Sequence, residues 1–435
     1  MDAGTRESRY IFTEISWFDA IVYALPVCAV SAPVFLIQTY FLNFATDVLL
    51  IAPATAGVLF AAVRVWDAVS DPIVGYWSDR SRNALGKRRP WMLVSAPMLP
   101  IACFAVWTPP VVDSSAELVA WVGASLFLFY TFATAWSVPH TALGIDLTRS
   151  EHVRRRVFGM RFVASIAGVI GAFTAMQLIV NDPSPRDAAQ RLVLVSLPVL
   201  ALVLLLPPSI LSERTAPNKI FDRAGTVLRS LLRNANARAL FLAWFLIQCG
   251  IFAQATVAPY MSLYIVERPD LIGILPACYI GAMIVSVPLW VRLGRHMAHA
   301  ALLRWTLVCA GISYLPLLLL NSFNIWLAFV VLAFAGFFSG GMGPLAPALL
   351  ASVVDEDERQ HGQSRAATYS AAWELVEKTA GALIVLVVAL TLQFAEYVPN
   401  QPLNERADLG LRLCLAVLPA LAFGAAALLL KPKPS

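Results

Sequence analysis

Three charged residues interrupt an apolar stretch that begins at Ile51. Arg64, Asp67 and Asp71 follow one another at spacings of three and four residues, so they share one face of a helix. Ionisable groups within a membrane-length apolar run are costly, and they mark an ion site or a transport pathway. Two carboxylates beside one arginine leave net negative charge, which favours a cation site over a structural ion pair.

The chemistry available to these carboxylates is the binding of a hard cation. Carboxylate and hydroxyl oxygens suit Na⁺, and two close carboxylates can also share a proton. A later apolar run, 366–393, carries Glu374, Glu377 and Lys378. Arg64 can hold the aspartates ionised, and Glu374 and Lys378 have the spacing of an ion pair within one helix. The residue types leave Na⁺ and H⁺ both open as the coupling ion.

The composition is that of an all-α membrane protein. The 435 residues are 59% hydrophobic and 14% charged, far too apolar for a soluble globular chain. Apolar runs long enough to cross about 30 Å of hydrocarbon occur twelve times. Helices satisfy the hydrogen-bonding groups of the backbone within lipid, so these runs predict a helical bundle. We place these spans near 18–45, 50–78, 90–109, 117–145, 157–180, 190–211, 239–265, 271–293, 300–320, 323–351, 366–393 and 408–430.

The spans divide into two sets of six. A polar segment separates residues 1–211 from residues 239–435, and the stretches after the second and fourth spans weakly resemble those after the eighth and tenth. Two six-helix halves with a substrate site between them are the layout of the major facilitator fold. We expect the linker, 212–238, to lie in the cytoplasm and to contain an amphipathic helix.

The distribution of Lys and Arg residues predicts the orientation of the protein in the membrane. Most of the 32 Lys and Arg residues fall on the side that carries both termini, which marks that side as cytoplasmic. The N-terminus has no cleavable-signal pattern, so we expect the first span to be retained. We expect a multi-pass protein of a bacterial inner membrane with both termini in the cytoplasm. The net charge of +5 needs no nucleic-acid partner, and the basic loops suit anionic lipid headgroups. We expect a monomer.

A family resemblance rests on several stretches. RVWD at 64–67 with SDP at 70–72 and GKRRPW at 86–91 resemble the signature of the glycoside–pentoside–hexuronide:cation symporters, the melibiose permease group of the major facilitator superfamily. Further agreement comes from Thr46-Asp47, VPHTAL at 138–143, Arg161, DEDER at 355–359, Gly362, Arg365 and Lys378. The resemblance covers most of the chain and implies cation-coupled symport of a small glycoside or related polar solute by alternating access.

The resemblance also implies a cation site. Family aspartates matching Asp67 and Asp71 form it, a threonine matching Thr134 completes it, and a lysine matching Lys378 lies close by. Ser70 stands where the sodium users of the family carry asparagine.

The substrate site departs from the family pattern. Sugar-transporting members hold the sugar with two aspartates and an aromatic residue, which fall here on Ser31, Ser137 and Thr141, whereas their arginine is retained as Arg161. Paired carboxylates accept sugar hydroxyls, and an arginine without them favours an anionic group. We expect a wider, less polar pocket, which the following residues also line: His140, Trp136, Gln248, Gln254 and Tyr260. Alternatively, Trp136 faces lipid and the two glutamines bond neighbouring helices.

Charged residues at the expected cytoplasmic end predict a gate. Its members are Asp79, Arg80, Gly86, Lys87, Arg88 and Arg89. We expect them to hold the halves together at this end through contacts that include 154–156 and 355–358.

Other functions fit less well. The chain has no GxSxG, HExxH or paired-histidine spacing, so neither an enzyme nor a metal site or cofactor beyond the coupling ion is expected. A receptor or scaffold would not need charges within the membrane. The alternative substrate is an amphiphile such as a lysolipid.

Overall fold

Every regular element in the computed structural model is a helix, over the residues that it describes: 15–81, 83–147, 151–211, 213, 234–361 and 366–430. The first half contains α1 Trp17–Asn43, α2 Pro53–Arg80, α3 Arg89–Trp107, α4 Ser115–Asp146, α5 Glu151–Val180 and α6 Pro185–Ile210. A π-helical turn, Phe44–Val48, extends α1.

The second half repeats this plan. It contains α7 Ala235–Tyr260, α8 Ile274–Leu293, α9 His299–Tyr314, α10a Trp326–Ser339, α10b Met342–His361, α11 Ala366–Phe394, α12a Glu405–Arg412 and α12b Leu418–Leu429. π-helical turns extend α7 over Met261–Ile265 and join the two parts of α12 over Leu413–Val417.

Packing between helices repeats with an offset of six. In the first half α1 packs on α5, α2 on α4, and α3 on α4 and α6; in the second half α7 packs on α11, α8 on α10a, and α9 on α10a and α12b. Between the halves, α2 packs most extensively on α11, and α1 packs on α7. At Gly57 of α2 a side chain would clash with Ala389 of α11, so glycine permits this close crossing.

Eleven helical spans of the described chain are long and apolar enough to cross a membrane. The exception is α2, whose length is sufficient but whose run carries Arg64, Asp67 and Asp71. These charges lower its hydropathy, and its contacts with α4 and α11 remove the charged face from lipid. The helix that fails the apolar test is therefore the helix that carries the predicted cation site.

Several predicted boundaries differ from the observed ones. The tenth span is broken at Gly340 and Gly341, where a side chain would clash with Ser286 of α8 and Thr306 of α9. The seventh helix begins four residues before the predicted 239, since Asn234 caps it by accepting hydrogen bonds from the N–H groups of Asn236 and Ala237. Most of the predicted amphipathic linker helix lies outside the described residues.

Helices of the two halves are hydrogen-bonded at the end of the bundle where α1 stops, which we call the sealed end. The carboxylate of Asp47 accepts hydrogen bonds from the hydroxyls of Tyr264 (2.6 Å) and Tyr397 (2.8 Å), and its carbonyl accepts one from Asn400 (2.9 Å). Thr46 bonds Tyr260 at 2.9 Å. Asp47 thus joins α1 to two segments of the second half.

A second contact reinforces the sealed end. Gln177, in the last turn of α5, donates to the carbonyl of Asp270 and accepts from the N–H of Gly273, both at 2.8 Å. The opposite end, where α1 begins and α12b ends, also carries the turn between α2 and α3, and we call it the basic end.

Asp47→Asn is expected to loosen the sealed end. Two tyrosine hydroxyls would lose a charged acceptor, and hydrogen bonds to charged groups contribute about 1.5–3 kcal/mol each. Spin labels at the exposed positions Val111 and Phe323, one in each half, should show a larger population at long label-to-label distances than in the wild type. Asp270→Asn is the matched control, because among the described residues the Asp270 side chain pairs only with Arg268, two residues away. An unchanged distance distribution in Asp47→Asn would show that this carboxylate does not hold the halves together.

Candidate cation and substrate sites

The face of α2 that carries the predicted cation site is buried against α4 and α11. Arg64 and Asp67 are 7% and 5% exposed, and Asp71 is partly buried one turn further along. Arg64 Nη1 lies 3.0 Å from Asp67 Oδ2, and the guanidinium lies over the ring of Tyr130. The helical spacing predicted for these charges is therefore the observed arrangement.

Lys378 of α11 lies between the two aspartates. Its Nζ is 3.0 Å from Asp67 Oδ2 and 2.5 Å from Asp71 Oδ2. Both contacts cross from one half to the other, since the aspartates lie on α2. The ammonium occupies the position that a monovalent cation bound by both carboxylates would take.

Hydroxyl groups complete the same cluster. Thr134 of α4 donates to Asp67 Oδ1 at 3.0 Å or to Asp71 Oδ1 at 3.1 Å. Ser70 bonds the carbonyl of Asp67 at 3.1 Å and lies 3.4 Å from the Thr134 hydroxyl. Four oxygen-bearing side chains, two carboxylates and two hydroxyls, thus converge where the sequence predicts a hard-cation site. We refer to Asp67, Asp71, Thr134, Ser70 and Lys378 as the cation cluster.

Two glutamates of α11 lie near this cluster without joining it. Glu374 is exposed and lies within electrostatic range of Asp71, Lys378 and Arg161. Glu377 is partly buried, within range of Arg64 and Lys378. The simple Glu374–Lys378 ion pair is not formed in this structure, because the ammonium is directed to the aspartates instead.

A cavity of about 340 Å³ lies between α1, α4 and α5, and we call it the Arg161 cavity. It brings together Ser31, Trp136, Ser137, His140 and Arg161. Ser31 is hydrogen-bonded to Ser165 at 3.2 Å, and Ser137 donates to the carbonyl of Ala133. No carboxylate of the described chain is ion-paired with Arg161.

His140 and Trp136 are fixed parts of the cavity wall. The His140 ring is stacked between Tyr23 and Trp136, with both centroid distances 4.3 Å, and its Nε2 is 2.9 Å from the carbonyl of Tyr23. Trp136 Nε1 donates to the carbonyl of Leu204. Trp136 is 1% exposed, so the alternative in which it faces lipid is wrong.

The remaining predicted pocket residues lie elsewhere. Thr141 and Gln248 line neither described cavity, and the hydroxyl of Thr141 donates to the carbonyl of Ser137. Tyr260 belongs to the sealed end. Gln254 lines a second cavity of about 280 Å³ between the halves.

This second cavity, which we call the apolar cavity, has mainly apolar walls. Phe35 and Met176 contribute from the first half, and Trp244, Phe252 and Met283 contribute from the second. It shares α1 and α5 with the Arg161 cavity. Along α5, Arg161 and Phe173 are separated by about 18 Å of helix, given the rise per residue. One elongated molecule could therefore contact both cavities.

The predicted gate residues lie at the basic end. Asp79 is 3.6 Å from Arg88, and Arg80 lies over the ring of Tyr76; both contacts stay within the first half. Arg156 donates to the carbonyl of Ile15, whereas the side chains of residues 154 and 155 lie outside the described residues. A gate that joins the halves at this end stays a prediction.

Glu213 was missed as a partner of the turn before α3. Its carboxylate accepts hydrogen bonds from the N–H groups of Lys87, Arg88 and Arg89, each at 2.6 Å. Gly86 has φ +107°, and a side chain there would clash with Glu213. The sequence predicts a gate from the glycine and basic residues of this turn, whereas a partner over a hundred residues away leaves no local sequence signal.

Comparison with known proteins identifies the family. The model of the family described as MFS/sugar transport protein matches residues 22–431. The chain belongs to this family.

Relatives of this MFS transporter include an uncharacterized symporter, YnaJ, of Bacillus subtilis (27% identity; 93% of this chain and 89% of the relative). They also include the sphingosine-1-phosphate transporter MFSD2B of Xenopus tropicalis (24%; 90% and 82%). The structure resembles the crystal structure of a D-xylose-proton symporter with a TM-score of 0.70 at 14% identity, over 96% of this chain and 98% of that one. The predicted major facilitator fold is confirmed, and the protein is a multi-pass membrane transporter and not an enzyme.

Asp71→Asn is expected to abolish gradient-driven accumulation of substrate. Substrate exchange should persist, because exchange requires no net movement of the coupling ion. Uptake and counterflow into proteoliposomes measure the two activities separately. Asp408→Asn, whose carboxylate pairs with Arg412 of its own helix, is the control and should keep accumulation. Uphill transport by Asp71→Asn at the wild-type rate would exclude Asp71 from the cation site.

Proposed function

We propose that this MFS symporter couples a monovalent cation, Na⁺ or H⁺, to the transport of a substrate that carries an anionic group and an apolar part. The cation cluster supports the coupling, because an ammonium already lies between Asp67 and Asp71. A second positive charge cannot share this position, so the entering ion must displace Lys378.

The observation that carries the substrate class is the environment of Arg161. This arginine lines a cavity with serine hydroxyls and aromatic rings, and in the described chain no ion-paired carboxylate neutralises it. A guanidinium is a permanent planar donor that suits a carboxylate or a phosphate. The hydrogen-bonded pair of Ser31 and Ser165 keeps one hydroxyl hydrogen that it can donate to such a group, and Ser137 can donate its own by turning away from the carbonyl of Ala133.

The apolar cavity supports the second part of the substrate. It lies between the halves along the same two helices and is lined largely by aromatic and aliphatic side chains. Burial of apolar surface there would favour binding by about 25 cal/mol per Å² before the cost of ordering the ligand. A relative that is named as a transporter of sphingosine-1-phosphate is consistent with this class. We extend that name to this chain only as support for an anionic amphiphile.

A small glycoside is the second candidate. The family description includes sugar transport, and the Arg161 cavity presents the hydroxyls of Ser31, Ser137 and Ser165. A hexuronide would combine a sugar ring with a carboxylate for Arg161. The two candidates differ in whether the apolar cavity contributes to affinity.

We propose that the protein acts as a monomer in a bacterial inner membrane, that the basic end faces the cytoplasm and that its arginines contact anionic lipid. A fluorescent protein fused to the C-terminus, which fluoresces only when it is cytoplasmic, tests the orientation. No fluorescence from a stably expressed fusion would reverse it.

The coupling is tested with proteoliposomes that contain the purified protein and a candidate substrate. An imposed Na⁺ gradient, an imposed pH gradient or neither is applied at the same membrane potential. Accumulation that requires one of the two gradients is expected. Equal uptake under all three conditions would contradict the cation-coupled function.

Ser137→Asp and Arg161→Lys test the substrate class. Ser137→Asp should weaken the binding of an anionic ligand by roughly tenfold, because it places like charge in the Arg161 cavity. Arg161→Lys keeps the charge but loses the planar pair of donors, so it should cost affinity for a phosphate or carboxylate and spare a neutral sugar. Calorimetric titrations with an alkyl phosphate, a hexuronide and a neutral glycoside provide the measurement.

Thr141→Ser serves as a control, since the Thr141 hydroxyl bonds the backbone of its own helix. A wild type that prefers the neutral glycoside, together with a Ser137→Asp variant that keeps this preference, would exclude an anionic substrate.

A further inference from the structure

When an entering ion displaces Lys378, the ammonium loses both of its carboxylate partners, and the cation cluster offers it no other. The ammonium is 18% exposed and has two carboxylate partners, Asp67 and Asp71. An ion that takes its place leaves a positive side chain with neither partner in a weakly polar interior. An unpaired ammonium there is strongly disfavoured. The bound state of the transporter therefore needs another acceptor for Lys378.

Glu374 is the carboxylate placed to accept it. It lies four residues before Lys378 on α11, so the two side chains occupy the same face one turn apart. A glutamate that precedes a lysine by four residues is the favourable orientation for a pair within a helix. Its electrostatic range includes Lys378, Asp71 and Arg161, which places it on the side of α11 that faces the first half.

Glu374 is also free to accept a partner. It forms no ion pair with any described residue, and it is exposed. The neighbouring Glu377 is less suitable, because it directly precedes Lys378, about 100° away around the helix. Glu377 also lies within electrostatic range of Arg64, which is a second cation available to it.

We infer that Glu374 is the alternative partner of Lys378: when the coupling ion binds between Asp67 and Asp71, the ammonium moves one turn along α11 and pairs with Glu374. No bond is made or broken other than hydrogen bonds, and the positive charge of Lys378 is conserved. Glu374 is thus a positioning residue that acts on the ion through Lys378. The inference rests on the proposed cation coupling.

The exchange also bears on the contact between the halves. Lys378 joins α11 to α2 while it bonds the aspartates, and it would contact only its own helix after it moves to Glu374. Ion binding would therefore remove a salt bridge between the halves and replace it with the ion. This links occupancy of the cation cluster to the α2–α11 contact.

The test is a mutant cycle on the affinity for the coupling ion. Glu374→Gln should weaken the apparent affinity for Na⁺ by about tenfold, because the displaced ammonium loses a charged hydrogen-bond partner. In the Lys378→Met background the same change should have a much smaller effect, since no ammonium needs a partner. Calorimetry of the purified full-length protein, with choline replacing Na⁺ at constant ionic strength, measures both.

If a pH gradient alone drives uptake, the same variants are compared by the external pH that gives half-maximal uptake. The carboxylates that face this region are Asp67, Asp71, Glu374 and Glu377. Loss of Glu374 should then shift the half-maximal pH downward, toward weaker proton binding, and the shift should disappear in Lys378→Met.

Glu377→Gln is the matched control for simple removal of negative charge. An equal loss of ion affinity in Glu374→Gln and Glu377→Gln would overturn the inference, as would a loss that is equally large with and without Lys378. The comparison with Glu377→Gln decides the matter even if Lys378→Met does not fold. Absence of any gradient-driven uptake by the wild type would instead refute the proposed coupling.

Discussion

Two carboxylates that lie within a membrane helix and require a positive partner are the constraint on which the rest of the structure depends. Each charged residue in the middle of a membrane helix costs roughly 2.5–3.5 kcal/mol on insertion scales. For Asp67 and Asp71 this cost is offset by ion pairs with Arg64 and Lys378 and by a hydrogen bond from the Thr134 hydroxyl. Because Lys378 belongs to the other half, its ion pairs with the two aspartates of α2 also hold α11 against α2.

This constraint explains the packing around α2. The face of α2 that carries three charges cannot face lipid, so it packs against α4 and α11. A glycine on α2 permits close approach to α11. The hydrogen bonds of Asp47 at the sealed end are of a different kind, because they join the halves with neutral tyrosine donors. The bundle thus has an ion-dependent contact in its interior and a separate contact at one end.

The fold and the cation cluster could be predicted from the sequence because their signals are local or repeated. Apolar runs have the length of a bilayer crossing, and the spacing of Arg64, Asp67 and Asp71 defines a helix face. Their meeting with Thr134 and Lys378 came from the family resemblance, since no local pattern joins residues 67 and 378. The structure places all of these groups together.

The substrate site was predicted less completely. Ser31, Ser137, His140, Trp136 and Arg161 line one cavity, but Tyr260 and Gln254 lie elsewhere. Polar residues on a membrane helix can serve a pocket, a seal or a neighbouring helix, and the sequence does not show which face points inward. Glu213 and the tyrosines that bond Asp47 were missed for a related reason: their partners are distant in the chain and their residue types are common.

The most direct measurement is an experimental structure of the full-length protein at a saturating concentration of the coupling ion. The central claim is that Asp67 and Asp71, beside the constant Arg64–Asp67 ion pair, bind one further cation at a time, either Lys378 or the transported ion. The account predicts that Lys378 Nζ moves beyond salt-bridge distance from both aspartates and that the ion contacts their carboxylates and the Thr134 hydroxyl. A structure in which Lys378 keeps both contacts while the ion binds elsewhere would contradict the account.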